Sequence, residues 1–344
     1  MTEPHPGSRP TLEAVAARAG VSRATASRVV NGGAGVRPPL VDKVRQAVEE
    51  LGYVPNHAAR TLVTRRTGAV AVIIAEPEIR IFSDPFFSQQ IRGISKELTA
   101  RDTQLVLLLV EGPGDYDRIA RYLAGGHVDG ALAFSLHTDD PLPAIARRTG
   151  MPTVYGGRPS WPTAPGDRPV PYVDADNRGG AREAVRHLLF LGRTRIAHIA
   201  GPRDQTSATD RLDGFHDVLP DADPELIEDG AFTEESGARA MARLLERRPD
   251  LDAVFAANDL MATGALRVLR ELGRRVPEDV ALVGFDDMRG VAETADPPLT
   301  TVRQDIEGMG RLMARLLLRG LTEGPANTPT SVITETALVR RASA

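Results

Sequence analysis

Nine short apolar runs alternate with helix-forming stretches between residues 69 and 304, and this alternation limits the possible folds most. Most of the runs are apolar almost throughout, which is typical of strands covered by helices on both faces. The pattern predicts parallel sheets of α/β type. We expect the main helices at 87–100, 178–191, 234–248 and 258–272, and the strands at 69–74, 104–110, 128–134, 152–156, 172–176, 195–201, 253–257, 280–286 and 300–304.

The strands are numerous enough for two doubly wound sheets, because 344 residues exceed one typical domain. We predict an N-lobe of 68–172 plus about 303–330, and a C-lobe of 173–302 plus about 331–341. The Pro-rich loop 157–171 is the candidate boundary. Ligands of such sheets bind beyond the carboxyl ends of the strands. Two lobes therefore predict a ligand cleft between them that closes by a hinge.

A different pattern precedes the sheets: two short helices with a tight turn between them, over residues 12–31. Thr11 and Ser22 stand where N-caps belong, and Gly20 suits the left-handed residue that ends a helix. Small, hydrogen-bonding and basic side chains share one face of the second helix. This is typical of a helix-turn-helix, whose second helix enters the DNA major groove. Two packed helices of an ordinary bundle with a solvent-exposed polar face also fit the pattern.

Charge distribution supports nucleic-acid binding at the N-terminal end. Residues 1–67 contain ten Arg and Lys against five Asp and Glu, a net charge of +5. Since the whole chain carries −4, the remainder carries −9. A basic head on an acidic body confines the attraction for phosphate to one end.

The segments around the helix pair complete the N-terminal organisation. We interpret 1–10 as a loose tail, 11–55 as an all-α headpiece with a third helix from Pro38 to Leu51, and 56–67 as a hinge. Asn56 can cap a hinge helix that begins at His57. That helix is too short to be stable alone in water, so we expect it to fold when docked.

Composition excludes several classes of function. The chain has no cysteine, its seven histidines lack ligand-like spacing, and no apolar run approaches the roughly 18 residues of a membrane span. The N-terminus lacks a signal-peptide core. No nucleophile elbow, P-loop or zinc motif is present. We therefore expect a soluble cytoplasmic protein that is not an enzyme and needs no metal or cofactor.

Motifs along nearly the whole chain identify a family. The segments PTLEAVAARAGVSRATASRVVNG, ELGYVPNHAARTL, VDADN, DRLDGF, DAVFAANDLMATGALRVL, VPEDVALVGFDD and PPLTTVRQD resemble the LacI/GalR family of bacterial transcription repressors. Within that family, HAARTLVTRRT, HVDGALAFSLHTDDPLP and VYGGRP are similar to actinobacterial repressors of cellulose and cellobiose use. The resemblance implies a periplasmic-binding-protein-like core behind the helix-turn-helix headpiece.

The resemblance also implies how DNA is bound. The family binds a pseudo-palindromic operator as a homodimer, and we expect a dimer here because leucine heptads of a tetramer are absent. Arg28 suits a guanine pair in the major groove, and Leu62 matches the leucine that opens the central minor-groove step. The DNA-binding positions implied are Thr11, Ser22, Arg23, Ala24, Thr25, Ser27, Arg28, Asn31, Tyr53, Asn56, Ala59 and Leu62.

A small sugar between the lobes is the implied effector. The implied positions are Asp84, Phe86, Arg158, Gln205, Ser207, Arg211, Phe232, Asn258, Asp286 and Gln304. Asp286 and Asn258 could instead be helix caps, and Arg211 a surface residue. Gly157 replaces an aspartate common in the family, which leaves room for a larger ligand. Trp161 could cover a sugar ring or lie exposed.

The function that follows is a repressor of sugar-utilisation genes, released from its operator by cellobiose or a related glucoside. We expect it in the bacterial cytoplasm, associated with the nucleoid. The alternatives are a sugar-binding carrier or receptor of the same core fold and a co-repressor-dependent regulator of the purine type. The carrier would need a signal peptide and has no use for a basic head.

Overall fold

The computed structural model describes residues 10–31, 35–54, 66–161, 169–324 and 331–344. The chain divides into two compact units, Met1–Thr67 and Gly68–Ala344. The predicted tail lies almost wholly outside the described residues, and so do Asn56, Ala59 and Leu62 of the predicted hinge. Within the described ranges, no helix combines the length and apolarity needed to cross a membrane.

The described residues of the first unit form three helices: α1 Leu12–Ala19, α2 Arg23–Val30 and α3 Pro38–Leu51. Both predicted caps are confirmed, since Thr11 Oγ1 accepts from Ala14 N at 3.2 Å and Ser22 Oγ accepts from Thr25 N at 3.1 Å. Gly20 ends α1 at φ 68°, the left-handed conformation that glycine adopts without strain. The small core that holds the helices together is formed by Val15, Ala16, Ala19, Ala26, Val44 and Ala47.

The second unit contains two six-stranded sheets. The first has the order β11-β5-β4-β3-β1-β2 and is parallel throughout. Five of its strands match the predicted runs to within two residues. The strands are β1 Ala69–Ile74, β2 Gln104–Leu109, β3 Gly130–Phe134, β4 Thr153–Gly156, β5 Tyr172–Ala175 and β11 Ser331–Thr334.

The second sheet has the order β12-β10-β9-β8-β6-β7. Its pairs are parallel except for β12, which lies antiparallel to β10. The four predicted strands are confirmed, and β7 is an additional short edge strand. The strands are β6 Ile196–Ala200, β7 Ile227–Asp229, β8 Ala253–Ala256, β9 Ala281–Asp286, β10 Thr300–Arg303 and β12 Ala337–Val339.

Helices cover both sheets, as the continuous apolar strands require. Apolar residues of the helices and strands interdigitate in four buried clusters, two for each lobe. The helices are α4 Glu78–Ser83, α5 Pro85–Thr99, α6 Pro113–Ala124, α7 Leu142–Thr149, α8 Asn177–Phe190, α9 Thr206–Val218, α10 Glu234–Arg247, α11 Asp259–Glu271 and α12 Ile306–Glu323.

The chain crosses between the lobes three times: before α8, before α12, and between β11 and β12. Each of the first two crossings begins a helix with an aspartate cap, where Gly179 N donates to Asp176 Oδ1 and Gly308 N to Asp305 Oδ1, both at 2.8 Å. The third crossing contacts the first through the bond from Asp176 N to Thr334 O, 2.9 Å long. The first and third crossings are therefore close together where the chain passes between the lobes.

The lobe boundaries predicted from sequence need correction. Residues 173–175 and 331–334 belong to the first sheet, where Ser331 lies opposite Tyr172, and not to the C-lobe. The segment SVITETALVRR, residues 331–341, does not form one continuous strand. The structure breaks it at Glu335 and Thr336, so that β11 and β12 join different sheets. The first lobe therefore ends with β11, and only the last ten or so residues return to the second.

Candidate effector cleft and DNA-facing helix

A cleft of about 740 Å³, including the part open to solvent, lies between the two lobes. Its lining residues follow the carboxyl ends of strands in both sheets, which is where the doubly wound topology places ligands. The structure brings together nine of the ten predicted effector residues: Asp84, Phe86, Gln205, Ser207, Arg211, Phe232, Asn258, Asp286 and Gln304.

Arg211 of α9 forms the charged floor of the cleft and is not a surface residue. Its side chain is about 5% exposed, and its Nη2 lies 3.3 Å from Asp286 Oδ1. Its Nε donates to Asn177 Oδ1 at 2.9 Å. The guanidinium carbon also lies 3.7 Å from the centre of the Phe285 ring, in cation–π geometry. These contacts fix the planar group so that it can offer donors in a defined direction.

Asp286 lies at the end of β9 and accepts a 2.6 Å hydrogen bond from Gln304 Nε2. Burial raises its pKa to about 7, although the nearby Arg211 cation opposes the shift. It does not cap a helix. Its neighbour Asp287 pairs instead with Arg303 and Arg341, so the two adjacent carboxylates have separate partners, as expected at a strand end.

Asn258 is both a helix cap and a lining residue. Its Oδ1 accepts from Met261 N at 2.9 Å, which caps α11, and its Nδ2 donates to Phe232 O at 3.1 Å. Phe232 adopts φ 58°, a left-handed conformation that is unusual for a bulky residue. The Asn258 bond helps to hold this conformation and keeps the Phe232 ring at the cleft.

The first lobe contributes Asp84, Phe86 and Phe87 from the start of α5. Asp84 caps α5 by accepting from Phe86 N at 2.9 Å, and burial raises its pKa to about 6. The Phe87 ring is buried against Phe134, whereas Phe86 is half-buried. Carboxylates beside aromatic faces suit the hydroxyls and apolar face of a sugar ring.

A polar cluster joins the lobes at the cleft, and we call Glu76, His137, Asp204 and Gln205 the clasp. Gln205 Nε2 donates to Glu76 Oε1 at 2.9 Å, and His137 Nδ1 lies 2.7 Å from Asp204 Oδ2. The hydrogen bond to Glu76 is the main reason that the pKa of His137 is raised to about 9. Protonated His137 therefore bridges carboxylates of both lobes.

Arg158 and Trp161 lie elsewhere than the sequence suggested. Arg158 does not line the cleft: its guanidinium pairs with Asp210 at 2.5 Å and is 44% exposed. Trp161 is half-buried with its ring edge against Tyr155, 4.9 Å between centres, and is absent from the cleft lining. Both residues follow the short strand β4, and nothing in the sequence of the loop after it predicts the direction in which their side chains point.

Sequence reasoning missed Arg80, Asp174 and Asn177 as lining residues. Arg80 pairs with Glu76 at 2.7 Å, and no motif of the sequence analysis includes either residue. Asp174 is buried, which raises its pKa to about 6, and it accepts from Asn177 Nδ2 at 3.0 Å. The motif VDADN was the available signal for the last two, because its polar residues directly follow a buried strand.

On the headpiece, α2 presents Arg23, Ala24 and Arg28 as exposed residues. Arg23 Nε contacts Glu13 Oε1 at 2.5 Å. Other predicted DNA contacts have local roles: the Asn31 amide donates to Ser27 O at 2.8 Å, and Tyr53 packs against the headpiece core. Within the part of the chain that the structure describes, no cluster of His, Asp or Glu could hold a metal ion.

Comparison with known proteins agrees with both units. A profile described as bacterial regulatory proteins, lacI family, matches residues 11–56, and one for a periplasmic binding protein-like domain matches 185–344. The HTH-type transcriptional regulator CelR of Thermobifida fusca is 50% identical over 339 residues, covering 97% of this chain and 98% of its own. The ribose operon repressor of Escherichia coli K12 is 33% identical over 91% of this chain and 93% of its own.

Solved structures extend the similarity to the complete architecture. A transcriptional regulator CelR–cellobiose complex has a TM-score of 0.77 and 48% identity, covering 98% of this chain and 100% of the other. A lac repressor dimer bound to operator and the anti-inducer ONPF has a TM-score of 0.83 and 27% identity, covering 98% and 99%. Both the headpiece and the two-lobed core therefore have solved counterparts.

Proposed function

Because this chain belongs to the lacI family of bacterial regulatory proteins, we propose that it represses sugar-utilisation genes and that cellobiose or a related glucoside releases it from its operator. Its relatives are transcription regulators and not enzymes. The observation that carries the effector assignment is the buried Arg211–Asp286 pair at the floor of a cleft lined by both lobes. The solved structure described as a transcriptional regulator CelR–cellobiose complex supports the choice of sugar.

In the cleft, the hydroxyl groups of the sugar form hydrogen bonds with the polar side chains. Arg211 and Asn258 donate, while Asp84 and Asp286 accept. Phe86 and Phe232 cover the apolar ring faces. The remaining effector positions in this proposal are Gln205, Ser207 and Gln304. A sugar that touches both lobes binds the closed form more tightly, so it shifts the equilibrium between lobe arrangements.

At the operator, α2 enters the major groove of each half-site. Arg28 donates to guanine O6 and N7, Ala24 offers an apolar contact, and Arg23 extends the basic face. Thr11, Ser22, Thr25, Ser27, Asn31 and Tyr53 position the headpiece on phosphates. Leu62, with Asn56 and Ala59 beside it, opens the central minor-groove step.

Two copies are required, because the two half-sites of a pseudo-palindrome are read by two headpieces. The lac repressor neighbour is described as a dimer bound to operator, which supports a homodimer here. The protein acts in the bacterial cytoplasm, associated with the nucleoid, where its operator lies. Closure of the lobes alters the hinge segments and lowers operator affinity.

The test is fluorescence anisotropy on a labelled duplex that the full-length protein selects from random DNA. We expect tight, salt-dependent binding to a pseudo-palindrome and its loss on addition of cellobiose. Tighter binding in the presence of cellobiose would indicate a co-repressor instead. Sequence-independent binding that ignores every glucoside would overturn the proposal.

A further inference from the structure

Asp286 and Asp287 form an unusual pair at the end of β9. Their φ angles are 105° and 54°, so two consecutive residues with side chains lie in the left-handed region. Such conformations persist only where the surrounding contacts hold them, and they cluster at ligand sites. The direction of the Asp286 carboxylate therefore depends on whatever fixes Asp287.

Asp287 is fixed by two arginines. Its carboxylate is 7% exposed, with Oδ1 at 2.6 Å from Arg341 Nη2 and Oδ2 at 2.6 Å from Arg303 Nε. Arg303 is 57% exposed, whereas Arg341 is 14% exposed. Water and salt therefore weaken the attraction between Asp287 and Arg341, the more buried partner, less than the attraction between Asp287 and Arg303.

Arg341 is itself held firmly, although it comes from the segment after β12. Its Nη1 donates to Leu299 O at 2.8 Å, and its backbone N donates to Thr300 Oγ1 at 2.9 Å. Thr300 is the first residue of β10 and Leu299 directly precedes it, and β10 is the strand that pairs with β9. The arginine thus spans from a fixed point on one strand to the turn that follows the adjacent strand.

The far side of the turn is fixed by Asp259. Its Oδ2 accepts from Met288 N at 2.8 Å, and its Oδ1 accepts from Thr301 Oγ1 at 2.6 Å. Held on both sides, the turn leaves Asp286 facing Arg211 and Gln304.

We propose that Arg341 is a positioning residue for effector binding, which acts by holding Asp287 so that the Asp286 carboxylate points into the cleft. The inference rests on the proposed function, because it assumes that the cleft binds cellobiose. Arg341 does not touch the effector. Its contribution passes through the Asp287 carboxylate and the strained backbone of Asp286.

A purely structural role is the competing explanation, because the same segment is anchored to the second sheet by other bonds. Ser343 is buried, donates to Leu282 O at 2.6 Å and accepts from Thr300 N at 2.8 Å. If Arg341 only anchored this segment, its loss would lower stability without depending on Asp286.

The test is isothermal titration calorimetry of the full-length protein with cellobiose. Arg341→Met should weaken cellobiose binding about tenfold, whereas the exposed neighbouring change Arg340→Met should leave it within about twofold. Arg341→Lys, which restores a cation, should recover part of the loss. Asp287→Asn is nearly isosteric and should weaken binding in the same direction if Arg341→Met does not fold.

The decisive comparison is a double-mutant cycle with Asp286→Asn. If Arg341 acts through Asp286, Arg341→Met should cause little further loss in the Asp286→Asn background. Independent, multiplying losses would overturn the inference, and so would wild-type affinity in Arg341→Met. A wild-type protein that does not bind cellobiose would instead overturn the proposed effector, and the inference with it.

Discussion

Gln205 of the second lobe donates a 2.9 Å hydrogen bond to Glu76 of the first, and both side chains are about 95% buried. A buried carboxylate is stable only with several partners. Glu76 has them in Arg80, Ser135 and His137. The hydrogen bonds and the Arg80 charge outweigh burial, so the pKa of Glu76 is lowered. The contact between the two lobes at Gln205 therefore depends in part on the negative charge of Glu76.

The first prediction concerns the pH dependence of the clasp. The pKa of His137 is raised from 6.5 to about 9, so the stabilisation from its charge is complete below about pH 6.5 and is lost as the pH rises through 9. The charged groups that interact with it are Glu76, Asp204 and Asp140. His137→Gln should lower the free energy of unfolding by about 1–2 kcal/mol at pH 6, allowing for solvent screening, and by little at pH 9.5.

Urea unfolding of both proteins from pH 6 to 9.5 measures this difference. The control is His127→Gln, because His127 is exposed and stacks on Tyr122 within the first lobe. A constant difference between wild type and His137→Gln across the pH range would contradict the assignment.

The second prediction concerns the floor of the cleft. Arg211→Lys keeps the positive charge but loses the planar group that contacts Asn177 and Asp286 together. We expect cellobiose binding about 100-fold weaker, since disturbing a buried charge pair costs about 2–5 kcal/mol. Calorimetry gives the affinity.

Operator binding by Arg211→Lys should remain close to that of wild type, and its release should need about 100-fold more cellobiose. Arg203→Lys is the matched control, because Arg203 is a surface residue paired with Asp229. Equal losses of cellobiose affinity in Arg211→Lys and Arg203→Lys would show that Arg211 has no special role in sugar binding.

The third prediction tests base reading by α2. Arg28→Ala should weaken operator binding about 10- to 100-fold, because a bidentate arginine–guanine pair contributes about 1–3 kcal/mol of discrimination. Arg45→Ala removes the same charge from the exposed face of α3 and serves as control. Fluorescence anisotropy with operator and scrambled duplexes separates the loss of base reading from the loss of a positive charge. If Arg28→Ala weakens both duplexes equally, Arg28 contacts only the backbone.

The fourth prediction concerns the hinge, which lies outside the described residues and stays a prediction from sequence. Leu62→Ala should weaken operator binding strongly while leaving cellobiose binding within about twofold, because the wedge contacts only DNA. Val63→Ala is the neighbouring control. Equal losses of DNA and sugar binding in Leu62→Ala would contradict the wedge.

Strands were predictable where burial on both faces left an uninterrupted apolar run. Strand β7 was missed because Ile227 is its only apolar residue. It lies at the edge of the sheet and pairs only with β6. The change of lobe at Glu335 was missed because both sides of it have the same alternating pattern. Sequence pattern gives the type of an element but does not give the sheet it joins.

Asp286 and Asn258 were implied as cleft residues by the family resemblance, and both lie at the carboxyl end of a buried strand, Asp286 as the last residue of β9 and Asn258 shortly after β8. The clasp was not predictable, since Glu76 and Gln205 are 129 residues apart and neither belongs to a local motif. Arg158 was placed in the cleft by its motif, but its side chain turns to Asp210. Gly157, directly before it, adopts φ 97°, so the chain bends there in a way that an aspartate would resist.

The three crossings between the lobes have a consequence for biosynthesis. Each sheet receives one edge strand, β11 or β12, from the last fourteen residues of the chain. During translation, β5 and β10 must therefore wait with an unpaired edge until these residues leave the ribosome. Neither sheet can be completed until these residues are available, so a product that lacks them would leave an unpaired edge on both sheets and would be recognised by chaperones and proteases.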